Sequence, residues 1–200
     1  MDKASIIEFL KAIKAENYEI DDNLSVNFKG DFKLVGIREK IPFKIGKVNG
    51  NFIARRLFLK NCNNFPDYVK ENVDISGNDF VTLSDFKTLF GGSLLVNNCS
   101  KLSLLNIAQD KINADLDISH CNFTSIDSLP SIINGNLLAS GNKIVTLMLN
   151  NKTIKVLGNC DFSSNKIQNE EMSIECINTI DISDNPINPD DNLKELATWS

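Results

Sequence analysis

The chain has 200 residues, 42% of them apolar and 24% charged, which suits one globular unit able to bury a core without metal or disulfide staples. Its 21 basic and 26 acidic residues give a net charge of −5 with a single His, excluding a broad basic footprint for duplex nucleic acid. Ten Gly and five Pro exclude collagen-like and low-complexity classes, and no apolar run approaches the roughly 18–20 residues of a membrane-spanning helix.

The first predicted element is a helix over residues 5–14. Ile6, Ile7, Phe9, Leu10 and Ile13 share one helical face, and Ser5 with Glu8 matches a capping box. Glu and Lys inside the apolar stretch are inconsistent with a secretory signal. Acidic residues on the polar side weigh against a membrane-surface helix. Residues 1–20 are therefore expected to form an amphipathic helix that caps one end of the molecule.

From residue 21 to 187 the chain repeats itself. Pieces such as GDFKLVGI, GNFIARRL, ENVDISGN and ADLDISHC align on an apolar anchor: Phe32, Phe52, Val73, Leu94, Leu116, Leu137, Cys160 and Ile180. Successive anchors lie 20, 21, 21, 22, 21, 23 and 20 residues apart. Apolar residues also stand four before and two after each anchor, and a small residue, mostly Gly, stands two before it. This period-two alternation predicts one short strand per copy with one buried face. Glu71 and Asn178 interrupt the small column without an evident reason.

Five residues past the anchor come Ile37 and Leu57, then Asn78, Cys99, Cys121, Asn142, Asn165 and Asn185. Here the chain leaves the strand near the core, where backbone groups lose ladder partners. Asn carries both a donor and an acceptor, so stacked copies would form an asparagine ladder with Cys99 and Cys121 as small substitutes. The remaining half-turn lacks a helical pattern and is read as an irregular or 3₁₀ stretch, with Pro42, Pro66 and Pro130 at similar phase. A copy cannot bury its apolar face alone, so the fold class is a mainly-β repeat solenoid of about eight coils. Residues 188–200, with Pro189 near the start and Leu193, Leu196 and Trp199 beyond, are expected to form a C-terminal cap helix.

The five cysteines, Cys62, Cys99, Cys121, Cys160 and Cys176, are odd in number and contain no C-x-x-C pair. Structural thiols in a reducing cytoplasm are expected, with no zinc site and no cofactor.

The columns resemble the leucine-rich repeat pattern, L-x-L-x-x-N/C-x-L. It is matched by Val73, Ile75, Asn78 and Phe80, by Leu116, Ile118, Cys121 and Phe123, by Leu137, Ala139, Asn142 and Ile144, and by Ile180, Ile182, Asn185 and Ile187. The segment Ile41 to Phe52, IPFKIGKVNGNF, and the helix-then-strand start resemble short-repeat proteins of tailed bacteriophages. The resemblance implies a right-handed stack of coils of 20–23 residues with helical caps, and no particular activity. The chain departs from the family pattern in two ways. The preceding apolar residue lies four, not three, before the anchor, and the first two copies carry Ile37 and Leu57 in the ladder column. A two-sided β-solenoid, with a second strand in the return stretch, stays open.

Catalytic constellations are sparse. His120, the only His, falls in the turn after a strand, where a solvated residue is more common than a base. No phosphate-cradling Gly-rich motif is present, and the Gly-rich calcium repeat is missing. The informative surface is the outward strand face, where Lys33, Ile53, Asp74, Leu95, Asp117, Leu138, Asp161 and Asp181 alternate with the buried positions. Asp31, Arg55 and Asp115 flank them. A plain solvated face that blunts aggregation is the bland reading. The sharper one is a non-catalytic docking surface for a protein partner with a basic patch, steered by the acidic positions. Under the phage resemblance the partner would be a host protein, such as a defence component, that is bound and inhibited. The alternatives are a structural component of a virion or homo-oligomer, and an acidic nucleic-acid mimic.

Overall fold

A computed structural model describes residues 1–187. The expected C-terminal helix at 188–200, with Leu193, Leu196 and Trp199, lies outside the described residues. The described residues wind as a parallel β-solenoid of about seven stacked turns, with one short helix among them. Eight anchors bound seven full turns, so the expectation of about eight coils becomes eight strand copies on seven windings.

Every anchor occupies its expected place. Eight two-residue strands, from Phe32–Lys33 to Ile180–Asp181, form one parallel sheet in sequence order. Phe32 pairs with Phe52, Phe52 with Val73, Val73 with Leu94, and the register holds through Leu116, Leu137, Cys160 and Ile180. The N–H of one coil donates to the carbonyl of the next, as in Leu94 N to Asp115 O at 3.0 Å and Leu116 N to Asn136 O at 2.9 Å.

The single strand expected between positions four before and two after the anchor is instead two strands meeting at a corner. The apolar residues four before the anchor belong to separate sheets. One contains Tyr18–Ile20, Val26–Phe28, Ile45–Val48, Tyr68–Val69 and Leu89–Phe90; the other contains Lys111–Ile112, Ile132–Ile133, Ile154–Val156 and Ile174–Cys176. Only Tyr18–Ile20 is antiparallel to its neighbour. Both strands keep their apolar side chains inside because a corner between them preserves the alternation of faces. Periodicity alone therefore could not reveal the bend. The return stretch holds further strands at Thr82–Phe86 and Leu104–Ile107, and no 3₁₀ helix occurs among the described residues.

The second sheet breaks where the longest early spacing, Leu94 to Leu116, inserts a residue. Between Phe90 and Ile112 the Gln109 side chain takes the place of a ladder peptide: its Oε1 accepts from Phe90 N at 3.1 Å and its Nε2 donates to Phe90 O at 3.3 Å. The same nitrogen donates to Lys111 O at 3.0 Å.

The helix spans Lys3–Ala12 and starts two residues earlier than expected. Asp2, not Ser5, is the cap, and its side chain accepts from Ser5 N at 2.8 Å. Ile6 and Leu10 are buried in the core, and the Phe9 ring meets Phe43 edge-on at 5.5 Å. The core is one continuous cluster running the length of the stack, filled most heavily by Phe28, Phe52, Phe80, Phe86, Phe123 and Phe162. No helix among the described residues is long and apolar enough to cross a membrane.

Candidate protein-docking face

Three columns of side chains hold the docking face in place. The first is the expected ladder. Asn142 Oδ1 accepts from Phe123 N at 3.0 Å, while its Nδ2 donates to Ile118 O at 2.9 Å and Ala139 O at 3.0 Å. Asn165 and Asn185 repeat this geometry one and two coils later. Asn78 satisfies two N–H groups, of Leu57 and Leu59, so the preceding coil can carry Leu57 in the ladder column. The Cys99 Sγ accepts from Asn78 N at 3.3 Å, and Cys121 Sγ donates to Val96 O at 3.4 Å. The hydrogen bond between these two thiols pushes Cys121 up and draws Cys99 down from the ordinary thiol value. Burial, with the neighbouring Cys176, pushes Cys160 up. High pKa values leave Cys121 and Cys160 as inert, packed thiols.

The second column escaped the sequence reading. The residue just before each anchor forms another ladder, running through Asp31, Asn51, Asn72, Ser93, Asp115 and Asn136. Asp31 Oδ1 accepts from Asn51 N at 2.7 Å, Asn72 Oδ1 from Ser93 N at 2.7 Å, and Asp115 Oδ1 from Asn136 N at 2.7 Å. Asp31 and Asp115, expected to flank a docking face, instead tie neighbouring coils together. This ladder also explains the small-residue column. A Cβ on Gly50, Gly92 or Gly135 would lie 2.3 Å from the ladder oxygen of the coil before. Ala114 is tolerated opposite the shorter Ser93, whose Oγ accepts from Asp115 N at 3.2 Å. Glu71, an exception to that column, accepts from Asn51 Nδ2 at 3.0 Å.

The third column is the residue four past the anchor. Gly36, Arg56, Gly77, Asn98, His120, Gly141, Ser164 and Asp184 all have φ between 53° and 73°. Each copy thus turns through a left-handed residue, a conformation Gly, Asn and Asp adopt most readily. The Gly/Asn/Asp content of the column was the available signal. His120 belongs to this turn and is exposed, as its place in the sequence implied.

The outward row is continuous: Lys33, Ile53, Asp74, Leu95, Asp117, Leu138, Asp161 and Asp181 are register partners in turn. At about 4.8 Å per strand the row spans about 34 Å. Its acidic members are not all free charges. Asp74 is buried and paired with Arg55, which raises the Arg55 pKa. Asp74, Asp117 and Asp161 accept from the N–H and hydroxyl of the Ser two residues on, at 2.6–3.2 Å, and Asp181 accepts from Ser183 N at 2.9 Å. The Asp117 Oδ2 also accepts from Asn97. The D-x-S spacing fastens each strand to its turn. Asp161 and Asp181 are neighbours on the last two coils, and each has a second oxygen without a hydrogen-bond partner among the described residues. Ser183 holds the Asp181 carboxyl below the ordinary aspartate value. Lys33 and Arg55 are exposed at the other end, and Ile53, Leu95 and Leu138 are half-buried between.

These features define a parallel β-solenoid whose corners are sealed by asparagine, aspartate and thiol side chains. No family model matches the chain, and neither a curated protein nor a solved structure is significantly similar to it. The leucine-rich resemblance rests on the sequence columns alone, and the phage resemblance on the segment Ile41 to Phe52 and the helix-then-strand start.

Proposed function

We propose that the protein is a non-catalytic binding module that docks a protein partner on its eight-stranded face. The observation that carries this reading is the unbroken register of the outward row, which offers a preordered surface about 34 Å long. A rigid repeat surface loses little conformational freedom on association, so the interface energy is not spent on ordering loops. The charge division supports a polarised partner: Lys33 beside the Arg55–Asp74 pair at one end, the open oxygens of Asp161 and Asp181 at the other. Half-buried Ile53, Leu95 and Leu138 supply apolar contact between them.

We further read the coils as leucine-rich-like and the Lys3–Ala12 helix as an N-terminal cap, supported by its buried Ile6 and Leu10. Under the phage resemblance the partner is a host protein carrying a basic patch, occluded by this face in the bacterial cytoplasm. Neutralisation rather than reversal is the proper test, because Asn at 161 and 181 still accepts from Ser163 and Ser183. Capture from bacterial lysate by the wild-type protein and by D161N/D181N should differ. A protein retained by wild type at low salt and lost from the double variant supports the reading. Identical capture by both removes the acidic end from the interface.

A further inference from the structure

The coil face on the other side of the corner carries the reverse chemistry. On the second sheets the outward positions, in register order, are Lys47, Tyr68 and Leu89, then Lys111, Ile132 and Lys155. All six are exposed. Tyr68, Leu89 and Ile132 are 39%, 49% and 38% exposed, more than the half-buried apolar residues of the eight-stranded face. Lys47, Lys111 and Lys155 have no ion-pair partner among the described residues, and neither do the nearby exposed Lys70 and Lys87. Three carboxylates lie in the same region, and one of them is ion-paired. Asp67 pairs with Lys44 at 3.1 Å, and Asp110 accepts from Ser131 N at 2.8 Å. Glu175, in register beyond Lys155, ends the row.

A chain of net charge −5 thus concentrates unpaired cations and exposed apolar side chains on a single ridge. Lys111 and Lys155 stand two register steps apart, about 10 Å, on either side of Ile132, and Lys47 stands beside Tyr68 on the other sheet. We infer that this ridge is a second docking surface, and that its partner is an acidic protein segment with interspersed apolar side chains. Carboxylates on such a segment would neutralise the lysines while its apolar groups cover Tyr68, Leu89 and Ile132. Single-stranded nucleic acid fits less well, since it requires several stacking rings and the row holds one, Tyr68. Because the ridge lies on different strands from the face proposed above, the two surfaces are separable.

The test uses the full chain and a fluorescent synthetic peptide of alternating Glu and Leu. A Glu/Ser peptide of equal length, an oligothymidylate and phosphatidylserine vesicles serve as competing probes. The Glu/Leu peptide should bind at least tenfold more tightly than the other three. K47E/K111E/K155E should weaken it tenfold or more, and so should Y68S/L89S, with unchanged circular dichroism in both. D161N/D181N, which alters only the other face, should leave it unchanged. Preference for the oligonucleotide or vesicles overturns the inference. So does equal binding of the Glu/Ser peptide, or indifference to lysine reversal.

Discussion

Replacing Asn142 by Ala removes a side chain that bonds four backbone groups, the longest bond going to Ser140 O, which also accepts from His120 N. Phe123 N and Ile118 O lose their only hydrogen-bond partner among the described residues, whereas Ala139 O keeps a second donor, Asn165 Nδ2, at 3.0 Å. Two orphaned groups at 1–3 kcal/mol each put the loss at about 3 kcal/mol. For a chain of this size that lowers the melting temperature by about 6–12 °C. Asn142→Cys should lose less, because Cys99 and Cys121 show that a thiol fits the column. Asn113→Ala, at an exposed position outside the ladders, should stay within about 0.5 kcal/mol of wild type. Urea denaturation followed by far-UV circular dichroism gives the three values on one scale. If Asn142→Ala costs no more than Asn113→Ala, the ladder does not hold the turns.

Three further outcomes follow from the same geometry. Gly135→Ala should destabilise by about 1–3 kcal/mol, since its Cβ would lie 2.3 Å from Asp115 Oδ1 and 2.6 Å from the Ala114 carbonyl carbon, and adding Asp115→Ser should restore only the part owed to the side chain; strictly additive effects in a double-mutant cycle would reject the side-chain part of the clash. Gln109→Ala should speed hydrogen exchange at the Phe90 amide at least tenfold while leaving Leu94 and Leu116 amides protected, because only the second sheet depends on the glutamine bridge. The Asp2 carboxyl is held below its ordinary value chiefly by the Ser5 N–H, so the cap contributes above the unfolded aspartate pKa and is lost as pH falls through the folded one. The Ser5 amide shift should therefore titrate below the usual aspartate range and stop responding in Asp2→Asn. A midpoint at the ordinary aspartate value would contradict that assignment.

What the sequence revealed depended on whether a physical demand left a mark at one column or was shared between two. The anchors were legible because each must be apolar, and their spacing fixes the register that the sheet adopts. Asn142, Asn165 and Asn185 were legible because few residues both donate and accept at a buried corner. The corner within each coil was not, since a bent pair of strands and a straight one bury the same alternating residues. The ladder through Asp31 and Asp115 was missed because Asp, Asn, Ser and Thr all serve there, so no residue type stands out. Its shadow, the glycines at 50, 92 and 135, was visible without its cause. The structural part of the acidic row was hidden for a related reason: a surface Asp that fastens a Ser two residues on looks the same as one awaiting a partner. The charge on Asp74 was the plainest case, outward by periodicity yet buried under Arg55.

The register of the eight-stranded face underlies the proposed function, and it can be measured without a crystal. Trans-hydrogen-bond scalar couplings in a deuterated, nitrogen-15 and carbon-13 labelled sample report which carbonyl each amide meets. Couplings should join Leu94 N to the Asp115 carbonyl, Leu116 N to that of Asn136, and Leu137 N to that of Asn159. Couplings displaced by one residue, or joining copies that are not sequence neighbours, would turn the outward row elsewhere and remove the basis for the docking face.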